Sequence, residues 1–427
     1  MERRPQPGEG SGEPPRSSGP TRPTRRPVTA LLIANAISLY GNVMAAIAIP
    51  WFVLLTTGSA LQTGIAALFT SAPLALGAFF GGTLVDRLGA KRASVIGDVA
   101  SAIGVAGIPL LHAIGALEYW HILVFGFIGA LFDAPASSAR EALLPEMSRR
   151  GATPLSRSLS LWTASEHTAY VAGAPLAGVL IVLLGAPALL WVDVASFLAS
   201  ALLVALGVPG ATPTPRDHAA RPSYLGELRS GLRFIASEPV VRTVVVWATL
   251  GALLIDPLAP VLLPVYAREQ FGDASALGLA VAAYGVGGLL GIGVFGVLHR
   301  RLGRRAFYVG GWLAYAVATY ALLPLPPLVM LLVALALIGV TTGLIDPMER
   351  LLRQERTPPE LQGRVSAAAL AAPRLATPLA VFLAGLLLET IGLQATLLIY
   401  ALGNTLLAIG VAAVPWLRNV AVPQPAP

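Results

Sequence analysis

Twelve long apolar runs place the tightest limit on what this chain can fold into. Each is long enough for a helix that crosses the roughly 30 Å of bilayer hydrocarbon, which takes about 20 residues. Strands of a membrane β-barrel would be shorter and would alternate polar with apolar residues, which these runs do not do. The runs therefore predict an all-α membrane protein with twelve spans, at 29–55, 61–85, 93–114, 118–140, 159–184, 187–208, 242–266, 275–299, 306–324, 327–349, 366–389 and 393–416.

The composition supports the same class. Hydrophobic residues make up 55% of the chain, charged residues only 12%, and the mean hydropathy is +0.72; about a quarter of an ordinary soluble domain is charged. The net charge of +7 does not indicate nucleic-acid binding, because the basic residues lie at the ends of apolar runs rather than in one patch. The absence of cysteine excludes disulfides, thiolate metal sites and cysteine catalysis.

The basic residues also predict the orientation of the chain. Connections on one side of the predicted spans are rich in arginine, whereas the other side has Arg268 alone outside a helix. Because cytoplasmic loops of membrane proteins carry the excess of Lys and Arg, both termini are expected in the cytoplasm of a bacterium, with the protein multi-pass in the inner membrane. The residues behind this assignment are Arg87, Lys91, Arg92, Arg149, Arg150, Arg157, Arg216, Arg221, Arg229, Arg233, Arg300, Arg301, Arg304, Arg305, Arg353, Arg356 and Arg364.

Five segments follow along the chain. Residues 1–27 are rich in Pro, Gly, Ser and Arg and are expected to form a disordered cytoplasmic tail. Two six-helix halves, 28–208 and 242–416, flank a cytoplasmic linker at 209–241, and a second tail occupies 417–427. Within the linker, apolar residues recur at helical spacing among arginines, which predicts an amphipathic helix on the inner leaflet.

A short stretch of charge and glycine between the second and third runs recurs later in the chain. The first copy contains Gly82, Asp86, Arg87, Gly89, Lys91 and Arg92; the second has Gly296, Arg300, Arg301, Gly303, Arg304 and Arg305. The second glycines lie 214 positions apart (303 minus 89), half the chain. Glycine permits tight turns and close helix approach, and the charges mark the membrane boundary. The repeat indicates a tandem duplication.

The spacing of the first copy resembles the cytoplasmic signature between the second and third helices of the major facilitator superfamily. The resemblance covers about 29–416 and implies that superfamily's fold, with two pseudo-symmetric six-helix halves. The fifth run contains Gly173, Pro175 and Gly178, similar in reduced form to a glycine–proline signature of proton-coupled exporters. The chain departs from the pattern where Arg300 replaces the acid of the second copy, and where the outer half of the fourth run lacks an arginine.

Charged residues inside membrane spans are costly, so they mark candidate sites. Asp133 and Arg140 share one face of the fourth span, and the tenth span has Asp346 four residues from Arg350 and Glu349 four residues from Arg353. We interpret these first as cytoplasmic ion pairs that lock the two halves together. The alternative is that Asp133 or Asp346 carries a coupling proton.

A second group of polar residues is expected around a central cavity. Asp256, followed by Pro257 and Pro260, lies in the seventh span and is the leading candidate for coupling or substrate contact, with Glu166 of the fifth span next. Asn35, Tyr40 and Asn42 lie at comparable depth in the first span. Asp193, near the outer end of the sixth span, is expected to meet water.

These residues and the resemblance predict a secondary-active exporter of amphiphilic small molecules such as drugs, macrolides or siderophores, driven by proton antiport through alternating access. The alternative is a protein that flips lysophospholipid without ion coupling. No enzyme motif, phosphate-binding loop or metal-spaced His/Glu cluster is found, so we expect a monomeric transporter without cofactor or metal. Its expected partners are the substrate, protons and membrane lipids, and not nucleic acid.

Overall fold

The computed structural model describes residues 26–209, 224–298, 301 and 303–414, except for the side chains of 75–86, 224, 225 and 227. Several predictions fall outside this description: those for 1–25, for 210–223 in the linker, for Arg300 and for 415–427. The side chains of Gly82 and Asp86 also fall outside it.

Twelve α-helices make up the described chain, and no strand occurs within it. Two of them contain a π-helical turn: α5 at Ala169–Gly173 and α8 at Leu258–Leu262. The helices are α1 (Arg26–Thr57), α2 (Ala60–Leu88), α3 (Ala90–Ala113), α4 (Tyr119–Arg150), α5 (Leu155–Leu184), α6 (Ala186–Gly207), α7 (Tyr224–Ser237), α8 (Pro239–Gln270), α9 (Ala274–Leu298), α10 (Arg304–Tyr320), α11 (Leu328–Arg356) and α12 (Gln362–Ala413).

Nine helices of the described chain are long and apolar enough to cross a membrane. They are α1, α3, α4, α5, α6, α8, α9, α11 and α12 with the short turn before it. α10 has 17 residues, fewer than the about 20 that a helix needs to cross the hydrocarbon. α12 runs for 52 residues but has a non-helical Gly392 (φ 78°, ψ 174°), which divides it at the boundary expected between the last two spans.

Glycine and proline place several of the helix boundaries. Gly89 between α2 and α3 has φ 78°, a left-handed conformation that glycine adopts without the steric cost of a Cβ. Gly185 between α5 and α6 has φ 85° for the same reason. Pro239 and Pro187 lie in the first turns of their helices, where the missing N–H breaks no helical hydrogen bond.

Two close glycine contacts join the first six helices to the later ones. Gly64 of α2 meets Gly385 of α12 so closely that a Cβ on Gly64 would lie 2.9 Å from the Gly385 Cα. Gly178 of α5 meets Gly278 of α9, where a Cβ on Gly178 would lie 3.1 Å from the Gly278 Cα. Both contacts lie toward the end of the bundle that holds the α1–α2, α5–α6 and α8–α9 connections. Side chains larger than hydrogen would force these helices apart.

The two contacts are related by the chain's internal repeat. Gly278 lies 214 positions after Gly64 (278 minus 64), the displacement that separates Gly89 from Gly303. Gly385 lies 207 positions after Gly178 (385 minus 178). The carbonyl of Ala60 approaches Gly385 just as that of Ala274 approaches Gly178, in both cases 2.8 Å from the position of a Cβ. Equivalent residues therefore make equivalent contacts.

The linker helix α7 packs on protein rather than standing apart. It contacts the beginning of α12 and α8. Gly231 lies against the backbone of Arg364, and Ile235 is buried with Val241 and Val365. Arg229 and Arg233 are exposed on the remaining surface. The helix is thus fixed to the later group of helices by an apolar face, with its basic side chains outward.

Candidate functional site

A central cavity of about 430 Å³ lies between the first six helices and the later ones. Most of its lining is apolar, from Val43, Ile47 and Leu74 on one side to Val281 and Val381 on the other. Three carboxylates interrupt this lining: Asp133 of α4, Asp193 of α6 and Asp256 of α8. Concave, mostly apolar cavities with a few polar groups are the usual form of small-molecule sites. In the described lining no lysine or arginine accompanies the acids.

Asp256 is placed by a break in its own helix. The regular helical segment ends at Ile255, and a π-helical turn follows Pro257 because proline cannot donate the helical hydrogen bond. The hydroxyl of Thr377 in α12 donates to the Asp256 carboxylate. Both residues line the cavity. The sequence placed Asp256 at the cavity, but nothing in it indicated Thr377, which lies 121 positions away.

Asp133 faces the same cavity from the opposite wall. The amide of Asn42 in α1 donates to the Asp133 Oδ2 at 3.0 Å, so the predicted Asn42 lines the cavity as a partner of this acid. Behind Asp133, away from the cavity, Arg140 lies with its Nη2 3.9 Å from the Asp133 Oδ1. Asp133 is 14% exposed, whereas Arg140 is 1% exposed.

The main partner of Arg140 is Asp98 of α3. The Arg140 Nη1 lies 2.5 Å from the Asp98 Oδ1, and Asp98 is fully buried. The hydroxyl of Ser200 in α6 donates to the Asp98 Oδ2 at 2.7 Å, and that of Ser38 in α1 lies 3.2 Å from the Arg140 Nη2. This salt bridge therefore ties α1, α3, α4 and α6 together inside the first six helices. The serines were not predicted, because a lone serine in an apolar run carries no signal of its partner.

The expectation that Asp193 meets water is wrong. Its side chain is 1% exposed, because Gly41 of α1 lets that helix close over it. A Cβ on Gly41 would lie 2.6 Å from the Asp193 Oδ1. Among the described residues, the hydroxyl of Ser196 donates a long hydrogen bond of 3.4 Å to the Asp193 Oδ1. Position along a helix gave the depth of Asp193 but not the neighbour that covers it.

The other polar residues predicted in α1 do not line the cavity. Asn35 is 1% exposed, and neither of its amide atoms has a hydrogen-bond partner within the described chain. Tyr40 lies instead on a shallow surface groove with Gly41, Met44 and Ser196. Asn42 is thus the member of the predicted trio that reaches the cavity.

The ion pairs expected on α11 are not formed within the described part of this structure. Asp346 and Arg350 are both exposed, and no ion pair within 4.0 Å joins them in the described helix. Glu349 turns inward instead and accepts a hydrogen bond of 2.8 Å from the hydroxyl of Tyr308 in α10. Helical spacing places two charges on one face, but Glu349 bonds Tyr308 and forms no ion pair within 4.0 Å with Arg353 among the described residues.

Glu166 lies away from the three cavity carboxylates. It is exposed, and it interacts electrostatically with Glu141, His167 and Arg350. Arg350 belongs to α11, so the interaction reaches from the first six helices to the later ones. Arg374 of α12 is also exposed.

The signature residues that the structure describes act mainly as boundaries. Arg87 and Arg92 are exposed and Lys91 is partly exposed, and a Cβ at Gly89, Gly296 or Gly303 would meet nothing within 4 Å. The positive φ explains Gly89, whereas neither space nor φ requires glycine at the other two. In α5, Gly178 makes the close contact with α9, Gly173 makes ordinary contacts with Tyr40, and Pro175 follows the π-helical turn.

The comparison with protein families decides the identity of this fold. The model of the Major Facilitator Superfamily matches residues 31–272 and 253–427. The chain belongs to the major facilitator superfamily. Its all-helical fold is accordingly similar to that of solved transporters of low sequence identity. The nucleoside transporter NupG has a TM-score of 0.75 and 12% identity, and the match covers 90% of this chain and 98% of NupG. A D-xylose-proton symporter has a TM-score of 0.70 and 15% identity, and the match covers 92% of this chain and 99% of the symporter.

Curated relatives of this superfamily member are exporters. The multidrug efflux pump Tap of Mycolicibacterium fortuitum is 32% identical over 403 residues, 94% of this chain and 98% of the relative. Macrolide efflux protein A of Streptococcus pyogenes is 24% identical, with 84% and 89% covered, and the enterobactin exporter EntS of Shigella dysenteriae is 26% identical, with 79% of each covered. The expected family and its exporter branch are confirmed.

Proposed function

We propose that this protein exports amphiphilic small molecules, preferentially those with a positive charge, by proton antiport through alternating access. The observation that carries the proposal is the cavity: an apolar enclosure between two groups of helices, with Asp133, Asp193 and Asp256 in its lining and no basic residue in the described part of it. An amphiphile would bury its apolar body there, and its charge would be attracted to the carboxylates. The names of the relatives support export.

The proposed architecture has twelve spans in two six-helix halves, 28–208 and 242–416. The matched glycine contacts of Gly64 with Gly385 and of Gly178 with Gly278 support a repeat of this kind. Exposed Arg87, Arg92 and Arg149 support cytoplasmic placement of the connections after α2 and α4, hence of both termini, in the inner membrane. We propose that a monomer suffices, since the two groups of helices within this chain supply walls on both sides of the cavity.

Alternating access is supported by where the two groups of helices touch. Both glycine contacts lie at the proposed outer end, while Glu166, Arg350 and Arg374 are exposed nearer the opposite end. This arrangement fits a state in which the cavity is closed to the outside. Release of substrate would require the glycine contacts to separate and the opposite ends to approach.

Asp256 is the proposed coupling acid. It lines the cavity beside the break in α8, and the hydroxyl of Thr377 in the neighbouring α12 of the same half donates a hydrogen bond to it. A proton can drive export only if the affinity of an acid for protons differs between the two states. Bending of α8 at this break between the two states would change the Thr377 hydrogen bond and so supply such a difference. Glu166, exposed outside the cavity lining, is the second candidate.

The test is transport of the lipophilic cation tetraphenylphosphonium in proteoliposomes, with and without an imposed pH gradient. We expect the gradient to drive uphill transport by the unmodified protein, and Asp256→Asn to lose uphill transport while keeping downhill exchange. Glu166→Gln, in the exposed position, serves as the matched comparison and should keep uphill transport. Transport that ignores the gradient would exclude antiport, and loss with Glu166→Gln alone would move the coupling site to that residue.

A further inference from the structure

A buried arginine stands directly behind one of the cavity acids. Arg140 pairs with Asp98 at 2.5 Å and lies 3.9 Å from Asp133, so one guanidinium serves two carboxylates. The two terminal nitrogens have different partners: Nη1 faces Asp98 and Ser200, and Nη2 faces Ser38 and Asp133. Asp133 alone of these three charged groups reaches the cavity.

The hydrogen bonds of this cluster are incomplete on the Asp133 side. In the described chain the Asp133 Oδ1 accepts no hydrogen bond and the Arg140 Nε donates none. Buried polar atoms are nearly always paired, and an unpaired one is expensive. The Oδ1 is the oxygen that faces the Arg140 Nη2, so a modest rotation of the guanidinium would close the gap. Arg140 can therefore pair closely with Asp98 or with Asp133, and in this structure its close contact is with Asp98.

The charged neighbours of the cluster define what can compete for Asp133. On α1 the facing groups are the uncharged Ser38 and Asn42, on α3 the group is Asp98, and on α6 they are Ser200 and Asp193. Arg140 approaches Asp133 from behind and lies closer to Asp98, and no Lys or Arg of the described cavity lining faces Asp133 from the other side. A cation in the cavity and Arg140 would therefore both be attracted to the same carboxylate.

We propose that Arg140 is a shared counter-ion that competes with the transported cation for Asp133. When a cation or a proton occupies Asp133, Arg140 pairs with Asp98; when the cation leaves, Arg140 turns to Asp133 and assists release. Arg140 is thus a positioning residue that acts on substrate through Asp133. Because its partners lie on α1, α3, α4 and α6, the exchange would also couple cavity occupancy to the packing of these helices.

The proposal rests on the proposed export of cations and predicts the sign of a binding change. In a charge-balanced Asp98→Asn/Arg140→Gln variant, Asp133 has no competitor, so tetraphenylphosphonium should bind at least about fivefold tighter. Turnover in proteoliposomes should fall, because nothing displaces the cation. Structural damage would instead weaken binding. Arg140→Lys, which retains a charge for Asp98 but lacks the second terminal nitrogen, should change both quantities in the same directions.

The control is Ser148→Ala/Ser158→Ala, which removes a buried polar pair of the same six helices, 2.8 Å apart and outside the cavity lining. Its dissociation constant for tetraphenylphosphonium should match that of the unmodified protein. Size-exclusion chromatography and thermal unfolding verify that the Asp98/Arg140 variants are folded. If folded variants bind the cation with unchanged or weaker affinity, the proposal of a shared counter-ion is wrong. Absence of binding by the unmodified protein would instead contradict the proposed cationic substrate.

Discussion

The first six helices and the later five hold different chemistry at positions related by the repeat. In α3, Asp98 forms a buried salt bridge with Arg140. The position 214 residues later (312 minus 98) is Trp312 of α10, 1% exposed, and beside it Tyr308 hydrogen-bonds Glu349. One half thus buries an ion pair where the other buries an indole and a carboxylate that is bonded by a tyrosine hydroxyl rather than by a cation. The duplicated scaffold preserves the helix contacts while the polar interior has diverged.

This difference indicates which part of the scaffold is constrained by packing and which by chemistry. The glycines at 64, 178, 278 and 385 are retained in all four repeat-related places because any Cβ would meet backbone within about 3 Å. Interior polar groups have no such steric requirement, since an apolar side chain of similar volume can replace an ion pair at little net cost. Packing therefore does not explain the ion pair in the first six helices, whereas the proposed competition of Arg140 with the transported cation for Asp133 does.

The largest effect is expected from breaking the ion pair on one side only. Arg140→Gln leaves the Asp98 carboxylate buried without its cation, which should destabilise the protein by about 3–5 kcal/mol. The matched change in the later helices, Tyr308→Phe, removes one hydrogen bond to Glu349 and should cost about 1–3 kcal/mol. Thermal unfolding of both variants in detergent measures the difference. Equal losses would mean that the two interiors are energetically alike.

The sequence predicted the helices better than it predicted the site. Apolar runs report membrane spans directly, and glycine or proline marked the breaks near 89, 257 and 392. The polar cluster depends on partners far apart in the chain, such as Ser200 with Asp98, 102 positions away. Helical spacing gives the face of a residue relative to its own helix, but the neighbour on that face is set by tertiary packing. For that reason helical spacing predicts Arg353 as the partner of Glu349, whereas the structure has Tyr308.

An intermediate effect is expected from the retained glycine contacts. Gly64→Leu and Gly178→Leu each insert a side chain where the opposite backbone lies, and overpacking of this kind costs about 1–3 kcal/mol. Because the cost falls on the state closed at the proposed outer end, the population should shift toward the opposite state. A cysteine at Thr70, in the cavity lining, should then react about 5- to 150-fold faster with an impermeant maleimide added outside cells.

The control for this substitution is Gly293→Leu in α9, an exposed glycine where a Cβ would meet nothing within 4 Å. It should leave the labelling rate of the Thr70 cysteine unchanged. The absence of native cysteine means that the reporter is the one thiol in the chain. If Gly64→Leu accelerates labelling while Gly178→Leu does not, the two contacts are not equivalent in function, and their symmetry is structural only.

The smallest effect is expected where the two repeat-related contacts differ. Beside Gly385, Glu389 accepts hydrogen bonds from the Ser59 hydroxyl at 3.0 Å and from the Leu61 N–H at 3.1 Å, so it caps the first turn of α2 from α12. The position 207 residues earlier (389 minus 207) is Val182, an exposed apolar residue without such a role.

A carboxylate at a helix N-terminus contributes about 0.3–1 kcal/mol, and exposure to solvent keeps it at that level. Glu389→Gln should therefore raise outside labelling of the Thr70 cysteine by at most about fivefold. Val182→Gln should leave it unchanged. A larger response to Glu389→Gln than to Gly64→Leu would show that the closed state depends on this polar cap more than on the glycine packing beneath it.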